Sequence, residues 1–173
     1  MRRIGVLLCT AIALFLGGCG GSVTVGRSSG AYIRTPLSHD AGSLAEFVNL
    51  SSRPASVLWE TLNLSDPRVP GPTDWYLMAL LQYGDDEVNA IAGAAGQTRD
   101  PAVLEPGQMR PWFPDRLKAY WIAEAGRYRF RGLTYRADSF YKGTLHDGYF
   151  VAAPDEREIL LVLQCCTARI PGR

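Results

Sequence analysis

The apolar and polar positions along the chain change period several times, and each change marks an element. A largely apolar run from Ile4 to Leu16 stands behind Arg2 and Arg3. It is shorter than the roughly 20 residues that a bilayer-spanning helix needs. A small-residue stretch follows from Gly20 to Gly30, and Tyr32–Leu50 then shows no clear period beyond a turn signal at Ser38-His39-Asp40. Ala55–Leu64 reads as a strand, closed off by the breakers Asp66-Pro67 and Pro70-Gly71-Pro72. Trp75–Tyr83 is almost continuously apolar, which suits a central buried strand, although periodicity alone does not separate it from a buried helix.

Beyond that run the period lengthens. Asp85-Asp86-Glu87 looks like a helix start with Asp85 as the cap, and Val88, Ile91, Ala92 and Ala95 form one apolar stripe that Gly96 is placed to end. Pro114 predicts a second helix, carrying Leu117, Tyr120 and Trp121 and ending near Gly126. Arg127–Arg131 alternates as a half-exposed strand does, and His146-Asp147-Gly148 reads as a turn. Tyr149–Ala153, a turn at Pro154–Arg157 and Glu158–Cys166 read as a hairpin, with Ile159–Leu163 in the core. The expected fold is one α+β domain over residues 31–173, a largely antiparallel sheet with about two helices packed on it.

The first residues change the picture from fold to address. Basic start, short apolar run and small-residue exit are the parts of a secretory signal peptide over residues 1–18. The exit, Leu16-Gly17-Gly18-Cys19, resembles the lipobox of bacterial lipoproteins. That resemblance implies cleavage before Cys19, a diacylglyceryl thioether on its sulfur and acylation of the new amine. Several acyl chains anchor stably where one is marginal, since each buried methylene adds about 0.8 kcal/mol. Residues 19–30 then form a flexible tether reaching roughly 15–20 Å. Gly20, where an Asp would signal retention, favours the outer membrane, periplasmic side. Beyond this motif the chain resembles small lipoproteins of Gram-negative bacteria, which implies the lipidated cysteine and no other site.

Composition narrows the chemistry. Losing Arg2 and Arg3 with the signal takes the formal charge from +1 to −1, which argues against nucleic acid as a partner. Of the four cysteines, Cys9 leaves with the signal and Cys19 carries lipid. Cys165 and Cys166 are adjacent, so on a strand they point to opposite faces. Two separate thiols are expected, with a strained vicinal bridge as the alternative in an oxidising compartment. No metal-ligand spacing, phosphate loop or nucleophile elbow occurs, so neither metal nor cofactor is expected.

The candidate chemistry is therefore binding. Arg110 to Lys142 holds eight cations against three acids. On the expected strand Arg127, Arg129 and Arg131 share one face, and such a row can grip carboxylates or phosphates. The alternative is a solvated face paired to nearby acids, such as those of the 155–158 turn. Trp112, Phe113, Tyr120, Trp121, Phe140 and Tyr141 could stack on sugars, but large aromatics at these spacings suit a core. The expected role is a non-enzymatic binding or scaffolding module, its partner an envelope protein or anionic envelope polymer. A toxin-neutralising lipoprotein is a related reading. The rival is a periplasmic hydrolase using His39 or His146, each followed by an aspartate. Adjacency in sequence provides neither the partner nor the pocket that a general base needs.

Overall fold

The two most apolar runs, residues 75–82 and 158–165, lie side by side at the centre of a six-stranded antiparallel sheet. The computed structural model describes residues 33–63, 75–152 and 157–165. The signal segment, Cys19, the tether, the breakers at 66–67 and 70–72, the Pro154-Asp155-Glu156 turn and Cys166 lie outside the described residues. Along the chain come β1 (Ile33–Arg34), α1 (Ala41–Phe47), β2 (Ser56–Asn63), β3 (Trp75–Gln82), α2 (Asp85–Ala95) and β4 (Val103–Leu104). They are followed by α3 (Asp115–Lys118), β5 (Trp121–Glu124), β6 (Arg127–Phe130), β7 (Thr134–Arg136), β8 (Leu145–Ala152) and β9 (Glu158–Cys165). The large sheet runs β1-β2-β3-β9-β8-β7, and a second, three-stranded sheet runs β4-β6-β5. The result is the expected α+β domain, antiparallel throughout its named strand pairs.

Both faces of the large sheet are covered, and this explains the continuous apolar runs of its centre. On one face Leu77, Ala79 and Leu81 of β3 join Leu161 and Leu163 of β9 beneath α1 and α2. On the other, Met78, Leu80, Leu160 and Val162 meet Leu104, Leu117, Trp121 and Phe130 from the small sheet and α3. A strand buried on both sides has no polar face to alternate with. β6 is covered on one side only: Phe130 is buried while Arg127 and Arg129 are exposed, hence its clean alternation.

Four local expectations need correction. The helix at Pro114 stops at Lys118; Trp121–Glu124 is instead a strand hairpinned to β6, Glu124 opposite Arg127. Ala125 and Gly126 both hold positive φ, 50° and 80°, the two-residue hairpin turn whose twist matches the flanking strands. Gly84, not Asp85, is the N-cap residue of α2, and Glu87 accepts its backbone N–H at 3.0 Å. His146-Asp147-Gly148 is not a turn but part of β8, where the register slips between Leu145 and Asp147. Cys165 is disulfide-bonded rather than a separate thiol, and its partner lies outside the described residues.

The unassigned segment after Ile33 contains α1. Asp40 caps it, accepting the Gly42 N–H at 2.8 Å and the Ser43 hydroxyl at 2.5 Å. Those donors, Ser43 first, hold the Asp40 carboxyl below its usual pKa. No helix among the described residues is long and apolar enough to cross a membrane.

Candidate functional site

The arginine row is present on β6 and just beyond it, but the fold divides it. Tyr128 and Phe130 turn toward the second core, Phe130 packing on Trp121 with ring centroids 5.0 Å apart. The period of two then leaves Arg127 and Arg129 on the outer face, with Arg131 exposed two residues on. Arg127 Nε lies 2.9 Å from Glu105 Oε1, and Arg129 Nε lies 2.6 Å from Glu124 Oε2. Both pairs are half exposed, where an ion pair is worth about 0–1 kcal/mol. Arg131 has no acidic partner among the described residues. Of the acids in the 155–158 turn, Asp155 and Glu156 lie outside the described residues, while Glu158 is buried on β9 and is held from α3 by Arg116, whose Nε and Nη2 both donate to its carboxylate.

Arg129 and Arg131 line an open groove of about 440 Å³ together with Arg99, a residue the sequence reading did not single out. Thr98 fixes that wall, its N–H donating to Thr134 O at 2.9 Å and its hydroxyl to Asp100 O at 2.7 Å. The groove's floor includes Phe130 and Gly132, and a β-carbon on Gly132 would sit 2.5 Å from the Phe130 ring. Leu133, 51% exposed, adds an apolar rim. Asp100 is the one acid in the lining. Arg99, like Arg131, lacks an acidic partner among the described residues. The groove therefore presents two guanidinium groups whose donors are uncommitted among the described residues, beside a third that Glu124 already neutralises.

Arg127 faces a different opening. A cleft of about 280 Å³ lies at the seam between the two sheets, with Glu105, Gln108 and Arg127 on the small-sheet side and Tyr76, Asp147, Tyr149 and Gln164 on the other. The Tyr149 hydroxyl crosses the seam and donates to Val103 O at 2.8 Å. Burial, and then neighbouring Tyr76, raise its pKa, so it remains a donor throughout the ordinary pH range.

Arg110, counted with the basic segment, is not part of any surface. Its side chain is 1% exposed and forms an ion pair with Glu60 of β2, itself only 8% exposed, while Nη1 donates to Gly107 O. The aromatic residues of the same region are largely structural. Phe113, Trp121 and Phe140 are buried, and Trp112, Tyr120 and Tyr141 pack against the two cores.

His39 and His146 are both exposed, and among the described residues neither is bonded to a serine or a carboxylate. His146 Nδ1 contacts Thr144 O at 2.7 Å. Among the described residues no three His, Cys, Asp or Glu side chains come together as a metal site. No family model, curated protein or solved structure matches the chain.

Proposed function

We propose that the chain is a lipid-anchored module of the bacterial envelope that binds an anionic partner along the groove of Arg99, Arg129 and Arg131. The observation that carries this reading is the pair Arg99 and Arg131, two guanidinium groups on one groove with no acidic partner among the described residues. A guanidinium presents a planar fork of donors that matches a carboxylate or phosphate. Leu133 gives the same partner an apolar contact. In the periplasm such anions are lipid headgroups, peptidoglycan carboxylates and acidic segments of proteins. The chemistry proposed is binding, with no bond made or broken.

Charge reversal tests the groove. The full chain should be retained on immobilised polyglutamate at low salt. Replacing both cations, Arg99→Glu with Arg131→Glu, should weaken retention roughly a hundredfold, since each charge-assisted hydrogen bond contributes about 1.5–3 kcal/mol. Retention equal to the parent, with an unchanged melting temperature, would remove the groove from consideration. Raising ionic strength to about 0.1 M, where charges are screened beyond about 10 Å, should mimic part of the loss.

Anchoring rests on Cys19, and its test is separate. Cys19→Ser removes the sulfur that would carry lipid. The variant is expected to shift from the membrane fraction to the soluble one, and it should lose the mass of the acyl groups. A serine form that matured normally and still sedimented with membranes would show the tether assignment to be wrong.

A further inference from the structure

The seam cleft has features that the anion groove lacks. Its walls are set by bonds internal to the chain. Asp147 accepts the Gly148 N–H at 2.8 Å and the Gln164 amide at 2.7 Å. Glu105 is held by Arg127, and its backbone N–H donates to Gln108 Oε1 at 2.8 Å. Each of these bonds leaves capacity over. The Gln108 amide nitrogen and the Gln164 carbonyl oxygen have no hydrogen bond among the described residues, and both carboxylates retain lone pairs. Arg127 keeps further N–H donors beyond the Nε used on Glu105. Spare donors and spare acceptors thus occur together around one opening.

That mixture discriminates by charge. An anion would meet Glu105 and Asp147, and a cation would meet Arg127. A wholly apolar ligand would strand the buried Gln108 amide, at a cost of about 1–3 kcal/mol for each group so trapped. Hydroxyl groups suit the lining because each both donates and accepts. Between the polar groups, Val103, Val162 and the ring bodies of Tyr76 and Tyr149 offer apolar surface to C–H faces. The volume is just below the roughly 300–1,000 Å³ of sites for drug-sized ligands, room for one ring rather than a chain of them.

The backbone has been shaped at this spot. The register slip between Leu145 and Asp147 is a bulge, a device that re-aims a side chain. Gly148 next to it holds φ at +141°, and a β-carbon there would come within 2.2 Å of Val162 O. We infer that the seam cleft is a binding site for a neutral polyhydroxylated ligand the size of a single sugar ring, with Asp147, Gln164, Gln108 and Glu105 forming its hydrogen-bonding lining. This site is independent of the arginine groove and does not require it.

The Gly148 amide is the reporter, since it borders the cleft and bonds the carboxylate that would meet the ligand. The full chain, labelled with nitrogen-15 in detergent micelles, is titrated with methyl glucoside, N-acetylglucosamine, glucosamine and glucuronate. A neutral sugar should move the Gly148 resonance saturably, with a dissociation constant of about 1 mM or tighter. Asp147→Ala should weaken that binding at least tenfold, and Gln164→Ala, which removes one lining amide but leaves the carboxylate in place, should weaken it less. Arg99→Glu with Arg131→Glu should leave it unchanged. The inference is overturned if neither neutral sugar shifts Gly148. It is equally overturned if only glucosamine or only glucuronate binds, or if the folded Asp147 and Gln164 variants bind like the parent.

Discussion

Replacing Arg110 with methionine is expected to destabilise the domain by about 3–5 kcal/mol, because it leaves Glu60 buried without its partner. For a domain of this size, that corresponds to a fall in melting temperature on the order of 10 °C. The pair joins β2 of the large sheet to the segment between β4 and α3, so its loss loosens the packing of one layer on the other. The companion change decides between a specific partnership and a simple packing role. Glu60→Leu alone leaves the buried guanidinium without its carboxylate and should cost a similar amount. The double variant, Glu60→Leu with Arg110→Met, removes both charges and should recover most of the stability, since well-packed apolar replacements of buried pairs are often neutral or better. Chemical denaturation of the four forms gives the coupling energy directly. A double variant as unstable as the sum of the two singles would mean that the two residues act independently.

Gly148→Ala is the second change with a large expected effect. The methyl group would enter the carbonyl oxygen of Val162, and it would do so from a backbone conformation that L-residues rarely adopt. Overpacking costs about 1–3 kcal/mol and an unfavourable backbone conformation about 1–3 kcal/mol more. Against a total stability of about 5–15 kcal/mol, a loss of about 2–6 kcal/mol should lower the melting temperature by on the order of 10 °C. Gly143 makes the control: its φ is also positive, +60°, but nothing lies within 4 Å of an added β-carbon. Gly143→Ala should therefore show only the backbone part of the loss. Equal melting temperatures for the two variants would indicate that the clash with Val162 relaxes at no cost.

Much of the fold was readable where one periodicity ran unopposed. Val88, Ile91, Ala92 and Ala95 marked α2 because its inner stripe packs on a single core. β6 showed its alternation because one face is solvated, and β3 and β9 showed none because both their faces are covered. The miss at residues 115–124 arose from spacing that fits two structures. Leu117, Tyr120 and Trp121 sit at helical intervals, yet Tyr120 follows the end of α3 and Trp121 opens β5. The signal that separates the two is Glu124-Ala125-Gly126-Arg127, a two-residue hairpin turn whose Gly126 fits a helix stop equally well.

The candidate site was legible only in part, for a different reason. Alternation places Arg127, Arg129 and Arg131 on one face but says nothing of which acids approach from other strands. Glu105 and Glu124 come from segments before β6, and Arg99 reaches the groove from the loop after α2. Arg110 is the sharpest case. Local composition counts it as one cation among eight, and only the partner on β2, far back in the chain, makes it an interior residue. Long-range pairing of charges has no local trace in a single sequence.

The central ladder, in which residues 75–82 pair with residues 158–165, bears on how the chain reaches its folded state. A polypeptide delivered from its N-terminus can form the β2–β3 hairpin early, but both sides of β3 stay wet until the final strand arrives. Closing so distant a contact is slow, and the open hairpin is sticky while it waits. Premature closure around either half of the interior is correspondingly disfavoured. A molecule assembled in this order stays pliable until nearly all of the described strands are in reach of one another, and it takes its shape in one late step.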